Sequence, residues 1–223
     1  MKKLLKSIFL SAIALLLSHS ASAQISYNSP EAQLIRAAEK GDIATVRQLL
    51  DSGAKIEAKD SMGDTALIKA AFWGRPEVVK VLLDKGVNVE AKDNDGSTAL
   101  TMAAIADTHS AENLTLLLDK GANIEAKDNT GSTALICASQ TGGNAEAVKL
   151  LLDKGANIEA KDKNGSTALI QAAFGNQIEA VRLLLAKGAN VAAMNNDGVT
   201  ALALATDIGN VEVVRLLREK GAH

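Results

Sequence analysis

Hydrophobic and polar positions recur along the chain with a nearly constant period. Thr-Ala-Leu occurs at Thr65, Thr98, Thr133, Thr167 and Thr200, with spacings of 33, 35, 34 and 33 residues. Each copy opens a short apolar helix, and a leucine-rich helix follows it, as in AVKLLLDKGAN at residues 147–157. A fixed period of this length indicates stacked repeats, because one such unit cannot bury its apolar face alone.

Capping and turn residues mark the ends of these helices. Thr suits the N-cap of each first helix, and Gly86, Gly121, Gly155 and Gly188 suit the left-handed position after a second helix. Pro76 falls in the first turn of its second helix, where the missing N–H costs nothing. Between helix pairs, segments such as IEAKDNTG alternate apolar and polar residues into a glycine turn, which predicts short hairpin-like fingers.

The pattern G-x-TAL-x-x-AA followed by E-x-V-x-LLL-x-x-GA resembles the ankyrin repeat. The resemblance covers residues 29–223, with Ala where that family usually has Pro and with Ile, Thr or Ala where it usually has His. It implies an all-α ankyrin-repeat solenoid of about six helix-turn-helix repeats with short β-hairpin-like fingers. The repeats are expected at residues 29–63, 64–96, 97–131, 132–165, 166–198 and 199–223.

The leucine triplets of the second helices indicate how the array ends. Their first position is apolar except for Gln48 in the first copy, and their third is apolar except for Arg218 in the last. Terminal repeats of a solenoid need polar outer faces, because each exposes a surface that inner repeats bury. We therefore expect six repeats, with Gln48 and Arg218 on the two outer faces.

The first 23 residues have the pattern of a cleaved secretory signal of bacterial type. They combine a lysine-rich start with an apolar run at residues 8–17 and the small-residue end Ala21-Ser22-Ala23. The apolar run is too short for a stable membrane span. We expect cleavage after Ala23, a short linker at residues 24–28, and a periplasmic or secreted protein that does not insert into the membrane.

Charge and cysteine content narrow the choice of partners. Removing the three lysines of the signal from the 24 basic residues leaves 21 against 26 acidic residues, a formal charge of −5. A mildly acidic chain without a basic run is not suited to nucleic acid or to an anionic membrane. Cys137 is the only cysteine, so it is either a buried core thiol or a cross-linking site in an oxidising compartment.

The sequence has no recognisable catalytic or metal-binding constellation. It lacks zinc-ligand spacing, a phosphate loop and a nucleophile elbow, and turns such as DNDG at residues 93–96 lack the distal Glu of a calcium loop. We expect no enzyme activity, no cofactor and no metal. The Glu and Lys pairs of the fingers, beginning with Glu57 and Lys59, are interpreted as a solvated face that is interrupted at Ala192 and Met194.

The ankyrin resemblance implies that a concave face, formed by the fingers and the exposed ends of the first helices, binds another protein. Phe72, Trp73 and Phe174 occupy the positions after the Ala-Ala pair of a first helix, and aromatic side chains are enriched at interface hot spots. We interpret Trp73 as an anchor, whereas each Phe is either an anchor or a side chain packed on the neighbouring helix pair. The predicted partner-binding residues are Phe72, Trp73, Arg75, Ile105, His109, Gln140, Phe174, Met194 and Met62.

The loop between the helices of repeat three is a second irregularity. Its sequence IADTHSAEN is two residues longer than in the 33-residue form of the repeat. Insertions in solenoids often carry binding, but neutral lengthening of a tolerant loop is the alternative. His109 lies in this loop, where it either makes binding depend on pH or is an exposed bystander.

These patterns predict a non-enzymatic protein-binding module that is a monomer when free. By analogy with the family, the specific hypothesis is an inhibitor or protective partner of an exported enzyme such as a peptidoglycan hydrolase. The alternative hypothesis is an envelope scaffold or an oxidative-stress accessory protein.

Overall fold

The protein is a row of paired helices. The structure, a computed structural model, describes residues 28–106, 108–140 and 144–223. Within those ranges the helices are α1 (Pro30–Lys40), α2 (Ile43–Asp51), α3 (Ala66–Phe72), α4 (Pro76–Asp84), α5 (Ala99–Ala104), α6 (Ser110–Asp119), α7 (Ala134–Ser139), α8 (Ala145–Asp153), α9 (Ala168–Phe174), α10 (Ile178–Ala186), α11 (Ala201–Ile208) and α12 (Val211–Glu219). The described residues contain no strand, so the predicted all-α solenoid of six helix pairs is confirmed.

Each first helix after α1 begins directly after the Thr of a Thr-Ala-Leu triplet, which is its N-cap. The Thr side-chain oxygen accepts a hydrogen bond from the backbone N–H three residues on, as Thr65 does from Ile68 at 3.3 Å. The same bond caps α5, α7, α9 and α11. The predicted N-caps are therefore confirmed, and they fix the residue at which each first helix starts.

The second helices begin and end at the residues that the sequence indicates. Pro76 occupies the first position of α4, and the side chains of Asp42 and Asn144 cap α2 and α8. Gly86 follows α4 with a φ of 79°, in the left-handed region where glycine has no Cβ penalty. These residues set the helix lengths and allow the chain to turn into the next finger.

The core is built from leucine and alanine. Fully buried leucines come from both helices of the inner pairs: Leu67, Leu82, Leu100, Leu117, Leu135, Leu151, Leu169 and Leu184. Each contributes about 2 kcal/mol through removal of apolar surface from water. Alanine pairs such as Ala70 and Ala71 are completely buried, which lets neighbouring first helices approach closely. The interior is thus filled without Phe72, Trp73 or Phe174.

The two polar residues of the leucine triplets are exposed, as predicted. Gln48 in α2 and Arg218 in α12 are both exposed. At the third triplet position, Leu83 and Leu185 are buried, and Leu118 and Leu152 are half-buried. The outer faces of the two terminal pairs are therefore more polar than the faces between inner pairs.

The predicted signal lies outside the described residues and stays a prediction. Among the helices of residues 28–223 that the structure describes, none is both long enough and apolar enough to cross a membrane.

The fingers are tight turns held mainly by side-chain bonds. In each, the turn residue accepts from two backbone N–H groups, as the Asp93 carboxylate does from Asp95 and Ser97 at 2.8 Å. The backbone of Asp93 also donates to the Ser97 carbonyl at 3.0 Å. The fingers therefore have a hairpin shape without strands, and one isolated bridge joins Met194 to Thr200.

Two ladders of charged side chains connect successive fingers through backbone groups. Glu125 Oε1 accepts from the Asn157 N–H at 2.7 Å, and Lys127 Nζ donates to the Lys161 carbonyl at 2.8 Å. The equivalent side chains at the other junctions are Glu57, Glu90, Glu159, Lys59, Lys92 and Lys161. The interpretation of these residues as a merely solvated face needs correction, because each one bonds to the next repeat.

A third ladder consists of ion pairs between the ends of successive second helices. The pairs are Asp51 with Lys85, Asp84 with Lys120, Asp119 with Lys154, and Asp153 with Lys187, at 2.7–3.1 Å. Hydrogen bonds from Lys187 and Lys149 lower the pKa of Asp153 to about 2. Ala186, Ala192 and Met194 occupy the ladder positions of repeat five, so within the described residues no ladder side chain reaches repeat six.

In four of the repeats, a polar side chain of the second helix bonds to the repeat before it. Three such donors and their acceptor carbonyls are Arg75 and Glu39, Asn144 and Ala106, and Asn210 and Ala173, at 2.9–3.0 Å. In repeat three, Asn113 supplies the bond from further inside α6 and donates to the Ala71 carbonyl at 3.1 Å. The tie between repeats therefore persists where the loop is longer.

Candidate protein-binding surface

Phe72 and Trp73 lie at the C-terminal end of α3 with much of each ring in solvent. Their side chains are 38% and 45% exposed. The ring centroids are 5.3 Å apart and the planes meet at 80°, an edge-to-face arrangement that aromatic pairs favour. Each ring therefore helps to hold the other in position, although neither is needed in the core.

The longer loop of repeat three packs against the turn that follows Trp73. Gly74 has a φ of 62°, and a Cβ built on it would lie 2.3 Å from the Thr108 carbonyl oxygen. A residue with a side chain cannot fit there without moving the Thr108 backbone. The aromatic pair and the lengthened loop, which the sequence shows as separate irregularities, thus meet at one place.

A depression of about 420 Å³ opens between the aromatic pair and this loop. It is lined by Phe72, Trp73, Arg75, Ile105 and Thr108, and we call it the Trp73 pocket. Of the lining residues that the structure describes, all except Thr108 are predicted from the sequence. The position of Thr108 depends on the path of the inserted loop and has no signal in the repeat pattern.

The other predicted residues lie outside the Trp73 pocket. Phe174 is 61% exposed at the end of α9, so it is not packed into the neighbouring helix pair. Gln140 ends α7, and Met62 and Met194 are exposed in the fingers. His109 is exposed at the N-cap of α6, in a left-handed conformation and without a side-chain capping bond. The binding roles of all these residues stay predictions.

Cys137 is buried in α7. Desolvation, together with the nearby Asp128 carboxylate, raises the pKa of its thiol to about 12. Because the thiolate is the reactive form of cysteine, this thiol gives no support to cross-linking or to a redox role in the folded protein. The described residues also contain no group of three or more His, Cys, Asp or Glu side chains that could hold a metal ion.

The protein is a helical repeat solenoid that acts through its surface. Its helix pairs are stacked, its fingers are joined by ladders, and its aromatic pocket is exposed. The chain belongs to the ankyrin repeat family, whose model "Ankyrin repeats (3 copies)" matches residues 9–93, 34–128, 89–162 and 146–223. Ankyrin repeat domains are non-catalytic binding modules, so this chain is a binding module and not an enzyme.

Several solved structures are similar along most of the chain. In the complex of the predatory endopeptidase Bd0816 with the immunity protein Bd3460 from Bdellovibrio bacteriovorus, the similar chain is the immunity protein. It is 34% identical, with a TM-score of 0.74 over 84% of this chain and 97% of that one. The ankyrin repeat domain of Bcl-3, a member of the IkappaB protein family, is 34% identical, with a TM-score of 0.74 over 86% of each chain.

An ankyrin repeat domain from Acinetobacter baumannii AYE is also similar. It is 32% identical, with a TM-score of 0.73 over 85% of this chain and 98% of that one. No curated protein sequence matches the chain significantly.

Proposed function

We propose that this protein binds an exported enzyme in the periplasm and inhibits it or protects the cell against it. The observation that carries the proposal is an exposed aromatic pocket on a chain 34% identical to an immunity protein in complex with an endopeptidase. A peptidoglycan hydrolase is the class of enzyme that we expect as the target, because it acts in the compartment to which this protein is exported. The protein itself supplies a rigid surface, and the enzyme supplies the activity that is controlled.

The N-terminal pattern supports the same compartment for the protein and its target. A lysine-rich start, an apolar run at residues 8–17 and the end Ala21-Ser22-Ala23 are what a secretory signal requires. A protective partner that shares the compartment of a cell-wall enzyme can hold it inactive until it is needed elsewhere.

The rigidity of the solenoid favours tight inhibition. Ladders and buried leucines hold the repeats in one arrangement, so little conformational freedom is lost when a partner docks. Phe72 and Trp73 are already held against each other, and Phe174 offers a further apolar contact three repeats away. Truncating such anchors removes about 2 kcal/mol or more of binding free energy at an interface hot spot.

The test uses the mature protein as bait in the exported fraction of the source bacterium. The wild type is compared with the triple variant Phe72→Ala, Trp73→Ala, Phe174→Ala. The matched control is Val211→Ala, which removes an exposed apolar side chain from the start of a second helix. We expect the wild type and the control to retain one hydrolase and the triple variant to bind it at least about 30-fold more weakly.

The recovered hydrolase is then assayed for peptidoglycan cleavage with increasing amounts of each protein. Loss of turnover at stoichiometric wild-type protein supports inhibition. If the hydrolase is retained but turns over at an unchanged rate, inhibition is wrong and scaffolding is the remaining role. Equal retention by the wild type and the triple variant would show that the aromatic residues are not the anchors.

A further inference from the structure

The Trp73 pocket combines an apolar wall with one cationic side, and this combination limits what can fill it. Phe72, Trp73 and Ile105 provide the apolar wall. The polar side is formed by Arg75 and Thr108, and of the described residues that line the pocket only Arg75 is charged. A partner side chain with a positive charge would therefore meet the guanidinium and be disfavoured.

The guanidinium of Arg75 is held in place before any partner arrives. Its Nε donates to the Glu39 carbonyl at 3.0 Å, and its Cδ lies 3.0 Å from where a Cβ on Gly41 would be. Within the described residues its two terminal nitrogens make no hydrogen bond or ion pair. A planar guanidinium with free terminal N–H groups is suited to a carboxylate, which it can bind with two parallel hydrogen bonds.

We infer that the Trp73 pocket binds an acidic loop of the partner enzyme, in which an aromatic or branched aliphatic side chain stands directly beside an Asp or Glu. The inference rests on the proposed function and names the chemistry of the partner at this site. The apolar side chain packs against Trp73 and Ile105, and the neighbouring carboxylate pairs with Arg75. Met62 and Phe174 are also exposed in other repeats, which suits an internal loop of a folded partner more than a chain end.

Among the described residues that line the pocket, the charge is opposite in sign to that of the whole chain. The chain without its signal carries a formal charge of −5, which by itself favours a basic partner. Arg75 lies at the contact itself, however, and short-range pairing decides register and specificity, whereas net charge acts mainly on the rate of encounter. The expected partner is therefore one whose acidic loop enters the pocket, whatever its overall charge.

Trp73 is the only tryptophan in the chain, so its fluorescence reports on the pocket directly. Three capped peptides serve as probes: acetyl-Ser-Phe-Glu-Ser-amide, the same peptide with Gln in place of Glu, and the same peptide with Ala in place of Phe. Each is titrated into the mature wild-type protein and into Arg75→Gln. Wild-type protein is expected to bind the Phe-Glu peptide about fivefold more tightly than the Phe-Gln peptide. It should bind the Ala-Glu peptide about tenfold more weakly than the Phe-Glu peptide.

In Arg75→Gln the Phe-Glu and Phe-Gln peptides should bind equally, since the preference for Glu comes from the guanidinium. A measurement on the wild type alone gives the same information, because the fivefold preference should fall toward one when salt is raised to about 1 M. An unchanged preference in Arg75→Gln or in high salt overturns the inference, and so does the absence of any change in Trp73 emission with all three peptides. Such an outcome does not contradict the proposed function if the triple aromatic variant still binds the hydrolase more weakly than the wild type does.

Discussion

At the scale of single residues, Gly74 shows how a position can have two reasons for its identity. Its φ of 62° lies in the left-handed region that glycine adopts freely, which suits the turn that ends α3. The structure adds the close approach of the Thr108 carbonyl, at 2.3 Å from where a Cβ would lie. Gly74 therefore both ends α3 and admits the loop that forms one side of the Trp73 pocket.

Replacing Gly74 with Ala separates these two roles. Gly86 is the matched control, because its φ is 79° and a Cβ there would meet nothing within 4 Å. Gly86→Ala should cost about 1 kcal/mol from backbone strain, and Gly74→Ala about 3 kcal/mol, because the Thr108 backbone must also move. Urea unfolding measures both free energies. Equal losses for the two variants would mean that the loop does not press on Gly74.

At the scale of elements, the ladders show why a repeated charge pair is difficult to interpret from sequence. Glu125 and Lys127 bond to backbone groups of the next repeat, at Asn157 and Lys161. Backbone N–H and carbonyl groups are present at every position, so no partner residue type marks these bonds. The spacing and identity of the Glu and Lys residues were visible in the sequence, but their partners became clear only from the stacking of the fingers.

Removing one rung of the Glu ladder should weaken one junction. Glu125→Ala leaves the Asn157 N–H without its acceptor, and we expect a loss of about 1 kcal/mol in the free energy of unfolding. Glu146→Ala is the control, because its exposed side chain bonds to no described residue, and its effect should be within about 0.5 kcal/mol of zero. Chemical denaturation checks both. A neutral Glu125→Ala would show that the ladder is no more than a solvated face.

At the scale of the whole molecule, the sequence was most informative where the repeat constrains it. The Thr caps, the buried leucines and the exposed Gln48 and Arg218 could all be predicted, because each depends on its place in the period. The Trp73 pocket could be predicted only in part. Its aromatic residues stand out against a leucine and alanine core. The side formed by Thr108 depends on how the two-residue insertion folds, and the pattern of the other repeats does not indicate that fold.

The junction between repeats five and six is held by fewer polar contacts than the others. Ala186 stands where the other repeats place the Asp of the ion-pair ladder, opposite Lys220 in the last repeat. Arg182 with Glu212 at 2.7 Å and Asn210 with the Ala173 carbonyl remain, together with apolar packing. The last helix pair should therefore open more often than the inner pairs.

Ala186→Asp should restore the missing rung. We expect it to stabilise the last repeat by about 0.5 kcal/mol, through an ion pair with Lys220 of the kind that joins Asp153 to Lys187. Amide hydrogen exchange in α11 and α12 is the measurement, since local opening is seen there before global unfolding. The gain should disappear in the double variant with Lys220→Ala. Exchange in α11 and α12 that is already as slow as in α7 and α8 would contradict the expected weakness of this junction.

The side-chain bonds that tie second helices to the preceding repeat have a consequence for how such a protein can change. Asn113 keeps this bond to the Ala71 carbonyl although its loop is longer, whereas Asn144 and Asn210 make it from the helix start. The alignment of the stack is therefore independent of loop length. A loop can therefore lengthen in evolution, or be grafted by protein engineering, so that one repeat gains a new recognition cleft while the neighbouring repeats keep their alignment.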